Sequence, residues 1–89
     1  MAKIDIINQV KRSLGITHGK LDGDIDDTIK AAKVDMGIAG VEGEDALVTQ
    51  AIKLYARYIY NYQGQSERWE RAYRALKDAM ALCGDYKNG

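Results

Sequence analysis

The chain has 89 residues, 46% apolar and 29% charged, with Lys plus Arg and Asp plus Glu each numbering 13. This length suits one domain, and the composition is that of an ordinary folded protein rather than a disordered or membrane-embedded one. The net charge of zero argues against a dedicated nucleic-acid binder, whose affinity comes largely from counterion release at phosphates.

Glycine does most of the punctuation, because there is no proline, and it divides the chain into four helical segments. The first spans about 4–14. Ile6, Ile7, Val10 and Leu14 share one side of a helical wheel, with Asn8, Lys11 and Arg12 opposite. Gly15-Ile16 then supplies a left-handed stop followed by an apolar residue that folds back on the last turn.

The second helix is expected over 24–36, with Asp22 or Asp24 as its cap and Asp26 and Asp27 complementing the positive helix end. Ile25, Ile29, Ala32 and Met36 form a narrow apolar stripe. Gly37-Ile38 repeats the Gly15-Ile16 stop signal. After a loop over 37–43, a long central third helix is expected over 44–62, opened by Glu44 and Asp45. Its apolar arc is wide, running through Leu47, Val48, Ala51, Ile52, Leu54, Tyr55, Tyr58, Ile59 and Tyr62. Gln63-Gly64-Gln65 turns the chain. Ser66 is expected to cap a fourth helix over 66–83, with Trp69, Leu76 and Cys83 at the centre of its apolar face and Ala72, Tyr73, Ala79 and Met80 flanking. A flexible tail over 84–89 would complete the chain. No run alternates with period two, so the expected fold is all-α: a single four-helix bundle-like domain, 1–89, with a long third helix.

A domain this small buries only about 60–65% of the surface its unfolded chain exposes, so association would add to its stability. Cys83 is the sole cysteine, which leaves no internal disulfide or thiolate cluster and suits a reducing compartment. The start, Met1-Ala2-Lys3-Ile4-Asp5, lacks the apolar run of a signal peptide. The longest uncharged stretch, Tyr58 to Ser66, falls far short of the roughly 18 residues of a membrane span. A soluble protein with no membrane partner is expected.

Motifs that carry chemistry fail on inspection. Asp22-x-Asp24-x-Asp26 opens like a calcium loop, but its sixth and twelfth positions hold Asp27 and Lys33 where Gly and a bidentate Glu are required. Gly37, Gly40 and Gly43 have the spacing of a phosphate loop, yet no strand precedes them and Glu44 and Asp45 would repel phosphate. His18 is the only histidine, and no nucleophile or base accompanies it. Cys83 reads as a packed thiol with no polarising neighbour. No enzymatic activity, cofactor or metal is expected.

Arginines interleave with aromatics from Tyr55 to Arg74, a pattern that can stack on single-stranded bases. Tyr55, Tyr58, Tyr62, Trp69 and Tyr73 nevertheless project onto apolar arcs and read as core. Tyr60 projects opposite, beside Lys53 and Arg57, and shares that side with Ala46. Val34 and Leu82 also fall outside their helices' apolar stripes. Lys53, Arg57, Tyr60, Val34 and Leu82 are therefore the candidate protein-interface residues.

The segments follow one another in a recognisable order. Leu14-Gly15-Ile16 precedes Asp22-Gly23-Asp24-Ile25-Asp26-Asp27 and Ile29-Lys30-Ala31-Ala32-Lys33-Val34-Asp35-Met36. Ala39-Gly40-Val41, Ala51-Ile52-Lys53-Leu54-Tyr55, Tyr60-Asn61-Tyr62, Tyr73-Arg74-Ala75-Leu76-Lys77 and Tyr86 follow. Over nearly its whole length the chain resembles the head–tail connector proteins of tailed phages and prophages, also described as head-completion or DNA-packaging adaptors, in the form found in phages of Gram-positive hosts. The resemblance implies a ring of identical subunits that docks on the portal after DNA packaging. The next connector or a tail component then attaches, and DNA only passes through the lumen. It also implies assembly in the host cytoplasm, residence at the virion head–tail junction, and no catalysis. The alternative function is a small helical nucleic-acid-binding regulator. Its recognition helix would be the second, which has four acids around its start and only Lys30 and Lys33 as bases, or the fourth, with Arg68, Arg71, Arg74 and Lys77 set among Glu67, Glu70 and Asp78.

Overall fold

The computed structural model describes residues 3–41, 43 and 46–82, with side chains from Ile6 onward. Four α-helices are found among the described residues: α1 (Lys3–Leu14), α2 (Asp22–Ile38), α3 (Ala46–Ile59) and α4 (Ser66–Ala81). A single 3-10 turn, Tyr62–Gly64, joins α3 to α4. The expected all-α bundle is the observed architecture. No helix among the described residues is long and apolar enough to cross a membrane.

α3 is the central helix: it packs against α1, α2 and most extensively α4. The core around it is built from Val10 of α1, the α2 stripe Ile25, Ile29, Ala32 and Met36, then Val48, Ala51, Ile52 and Ala56 of α3, and Tyr73 and Met80 of α4. The α2 stripe is the one read from sequence. On α4 the buried face is turned toward Tyr73 and Met80; Trp69 and Leu76, expected at its centre, are half-buried, and Ala79 is exposed. Cys83 and the tail lie outside the described residues.

α3 is shorter than expected. It ends at Ile59, and Glu44 and Asp45, expected to open it, lie outside the described residues. Its arc is also narrower: Ala56 is fully buried while Leu47 and Ile59 are 45% and 48% exposed.

α2 runs two residues further at each end than expected. Neither Asp22 nor Asp24 caps it; Leu21 occupies the cap position and no side chain receives a backbone N–H there. Asp22 is instead drawn to Lys11 of α1, Oδ1 to Nζ 2.9 Å. At the other end the helix passes through Gly37. Gly40 takes the left-handed conformation (φ 85°), with its N–H donating to the Gly37 carbonyl (3.0 Å) and the Val41 N–H to Met36 (2.8 Å). This reproduces the termination of α1, where Gly15 is left-handed (φ 72°) and Gly15 and Ile16 donate to Arg12 and Lys11 at 3.2 and 2.9 Å. The stop falls three residues later than Gly37-Ile38 because Val41 can be buried, to 2% exposure, whereas Ile38 stays 83% exposed. Burying a valine side chain contributes about 1.5 kcal/mol or more, enough to choose between two glycines.

The α3–α4 junction departs most from the sequence reading. Asn61 (φ 49°), Gln63 (φ 56°) and Gly64 (φ 68°) are all left-handed within four residues. Ser66 does not cap α4, since Gln65 holds the cap position with no side-chain bond. The Ser66 N–H donates instead to Asn61 Oδ1, 3.1 Å away on the far side of the turn.

Candidate functional site

Three features stand out, two of them polar–aromatic clusters inside the bundle and one an apolar end on its surface.

The first cluster joins α2 to α4, whose backbones make little direct contact. Tyr73 and Lys77, one turn apart on α4, both reach Asp35 on the flank of α2. The Tyr73 hydroxyl and the Lys77 ammonium donate to the same oxygen, Asp35 Oδ2, at 2.6 and 3.0 Å. Tyr55 of α3 meets the Tyr73 ring edge-on, centroids 5.1 Å apart, and Tyr58 stands edge-on to Tyr55 at 6.0 Å. Together with Arg74 these residues line a cavity of about 160 Å³.

The hydrogen bond from Tyr73, with the Lys77 charge behind it, holds the Asp35 carboxyl below its usual range. Burial, then the bond to Asp35, pushes the Tyr73 phenol well above its ordinary value. Burial and the Asp35 charge likewise raise Tyr55. Both partners of the short bond thus move away from neutrality, the acid downward and the phenol upward. A proton shuttle working near pH 7 needs the opposite. The arrangement is a fixed charge-assisted lock between helices.

The second cluster holds the α3–α4 turn. The Trp69 indole N–H donates to the Tyr62 carbonyl at 2.9 Å, and the two rings lie 6.0 Å apart. The Arg57 guanidinium covers both rings, 5.1 Å from Tyr62 and 4.8 Å from Trp69, while its Nε–H donates to Ser13 Oγ of α1 at 3.0 Å. Arg68 covers Trp69 as well, at 5.1 Å.

These contacts correct the expected outward face of α3. Arg57 is half-buried and engaged within the chain. Tyr60 lies one residue past the end of α3, where it packs half-buried against the hydrophobic core rather than projecting outward. Lys53 is also half-buried. Tyr60 still donates its N–H to the Ala56 carbonyl at 2.9 Å, in helical register; the side it shares with Lys53 and Arg57 is half-buried, and Ser13 of α1 reaches it.

Val34 and Leu82, by contrast, are 64% and 86% exposed. Ile38, one turn beyond Val34 on the same outer side of α2, and Leu47 at the start of α3 join them. Chain direction puts the end of α2, the start of α3 and the end of α4 together, so Ile38, Leu47 and Leu82 share one end of the bundle. α2 is therefore apolar on two sides, one buried in the core and the other bare. The spacing of Val34 and Ile38 was available in the sequence as the signal for this face. The meeting of Asp35 with Tyr73 and Lys77 carried no such signal, because it joins residues about 40 positions apart.

The remaining sequence candidates are plainly accommodated. His18 is exposed, and its Nδ1 accepts the Lys20 backbone N–H at 3.2 Å. Among the described residues no group of three or more His, Cys, Asp or Glu is placed to hold a metal ion.

In comparisons with known proteins, no family model, no curated protein and no solved structure matches this chain.

Proposed function

We propose that the chain is a structural subunit of a tailed-phage or prophage head–tail connector, forming a ring that docks on the portal once DNA has been packaged. The resemblance in the order of caps and helices suggests this function. The single observation that carries the protein-binding part of it is the apolar end, where Ile38 and Leu82 stand 83% and 86% exposed. Large aliphatic side chains exposed on elements that meet at one end of a small domain are costly to leave in water and fit a surface that another protein covers.

The regulator alternative gains little from α4, where three of the four bases are engaged within the chain. Arg74 is paired with Glu70 at 3.0 Å, Lys77 with Asp35 at 3.0 Å, and Arg68 lies against Trp69. The deciding experiment incubates the full chain with the cognate portal protein and images the product by electron microscopy. An added ring on the portal is expected, and an Ile38→Ser/Leu82→Ser double variant should fail to form it while keeping its helix content. Portals that remain bare with the wild-type chain would overturn the reading. Tight duplex-DNA binding that weakens steeply with salt would replace it with the regulator.

A further inference from the structure

The α3–α4 junction pairs an awkward backbone with an otherwise helical context. Asn61 and Gln63 both occupy the left-handed region (φ 49°, ψ 48° and φ 56°, ψ 22°), with Gly64 beside them at φ 68°. Asparagine and glycine tolerate this conformation, but glutamine gains no local compensation for the crowding of its Cβ. No proline separates α3 from α4, so nothing covalent prevents residues 60–65 from becoming helical. α3 and α4 would then form one helix from Ala46 to Ala81, 36 residues and about 54 Å long.

Straightening would carry α4 away from its own α3 and expose Tyr73, Met80, Leu76 and the α3 surface they cover. These faces are complementary to each other. The Asp35 oxygen that accepts Tyr73 and Lys77 requires both donors one turn apart on a helix, and Trp69 must find the Arg57 guanidinium. A second copy of the chain supplies all of these groups in the same geometry. From this strained hinge and the self-complementary faces on either side of it, we propose that the protein exchanges α4 between two copies, its α3–α4 turn opening into a continuous helix. Short hinge loops under strain invite such swaps. The exchange re-forms in trans the contacts of α4 with α2 and α3, and gives up only those made to the turn itself. The clamp of Trp69, Tyr62 and Arg57 on the turn is the latch that must release first, so the exchange is slow once the chain has folded. The hinge lies at the opposite end of the bundle from Ile38, Leu47 and Leu82, so substitutions in it leave the proposed ring surface unaltered.

Two hinge substitutions move the equilibrium in opposite directions without touching either face. Gly64→Ala places a Cβ at a left-handed position, where nothing lies within 4 Å to crowd it, and favours the continuous helix. Gln63→Gly relieves the closed turn and disfavours that helix. The experiment refolds the full wild-type chain and both variants at micromolar and millimolar concentration, under reducing conditions that keep Cys83 from cross-linking. It then reads mass by light scattering and shape by X-ray scattering. The expected result is a wild-type dimer at high concentration containing a rod longer than the 38 Å extent of the monomer. The dimer association constant should rise about tenfold or more in Gly64→Ala and fall by a similar factor in Gln63→Gly.

A wild-type chain that stays monomeric when refolded at millimolar concentration would overturn the proposal. Equal dimer populations in wild type and Gln63→Gly would do so too, since that identifies a surface dimer indifferent to the hinge. Should Gly64→Ala fail to fold, the wild-type and Gln63→Gly comparison still decides. Loss of portal binding in the apolar-end variant leaves this result unchanged, so the two proposals fail separately.

Discussion

Tyr73 and Asp35, 38 residues apart in the chain, meet through a 2.6 Å hydrogen bond that ties α4 to α2 where their backbones make little direct contact. Removing the hydroxyl in Tyr73→Phe leaves the packed ring in place and should cost about 1–2 kcal/mol, the low side for a hydrogen bond to a charged group because the Asp35 side chain is 40% exposed. Lys77 shares the same acceptor oxygen. The double variant with Lys77→Met should therefore depart measurably from the sum of the two singles. Chemical denaturation of the four proteins checks both statements, and strict additivity would show that the two bonds act independently.

The same bond fixes a pH dependence. Asp35 is held below its ordinary range when folded, so the unfolded chain binds its proton first as pH falls. The stabilisation is present above the unfolded carboxyl value, near 4, and drains away as pH drops through the lower folded value. Asp35→Asn should be less stable at neutral pH and show a shallower acid limb than the wild type. Tyr73 is raised, which works in the other sense: its contribution is complete below the unfolded phenol value, near 10, and is lost as pH climbs beyond it. Tyr73→Phe should accordingly flatten the alkaline limb. Stability measured from pH 2 to 11 in the two variants separates the limbs.

Gly37 and Gly40 should respond to alanine with opposite signs. Gly37 lies inside α2, with open space where a Cβ would go, so Gly37→Ala should stabilise the protein by up to about 1 kcal/mol through helix propensity. Gly40 is also uncrowded, but it sits at φ 85°, and Gly40→Ala should cost about 1 kcal/mol of backbone strain. Thermal unfolding of the pair tests which glycine ends the helix.

Arg57 links three elements: the ring faces of Tyr62 and Trp69 beyond α3 and the Ser13 hydroxyl in α1. Arg57→Lys keeps the charge and loses the planar stacking and the fork of donors. Its expected cost is about 0.5–1 kcal/mol, and that of Arg57→Ala about 1–2 kcal/mol. A lysine variant as stable as wild type would show that charge alone matters at this position.

The physics that made parts of this fold legible is local. The α2 stripe of Ile25, Ile29, Ala32 and Met36 reads directly because its period is the helix period, and all four are buried. The Gly15 stop reads for the same reason, since the glycine and the apolar residue after it are adjacent. At the end of α2 two such pairs compete, and only the tertiary site that receives Val41 selects Gly40. Tyr60 shares a side of α3 with Lys53 and Arg57, as the wheel places it, but that side is half-buried and Ser13 of α1 reaches it, which nothing local in α3 announces. The lock at Asp35 was illegible in principle, because nothing local in α2 or α4 announces which flank each presents to the other. Of the candidate interface, Val34 and Leu82 could be read as outward-facing from their stripes, whereas Arg57 is occupied by rings contributed from beyond its own helix.

Trp69 is the only tryptophan in the chain, and its position against the α3–α4 turn gives the protein a built-in optical gauge. Its indole N–H is tied to the Tyr62 carbonyl and two guanidinium groups lie over its ring, so its emission wavelength and lifetime depend on whether that turn is closed. Tyrosine-to-tryptophan energy transfer from Tyr62, 6.0 Å away, adds a second colour-coded readout. The moment at which the turn lets go can therefore be timed in the unlabelled chain, by stopped-flow fluorescence, separately from the circular dichroism signal of the helices on either side.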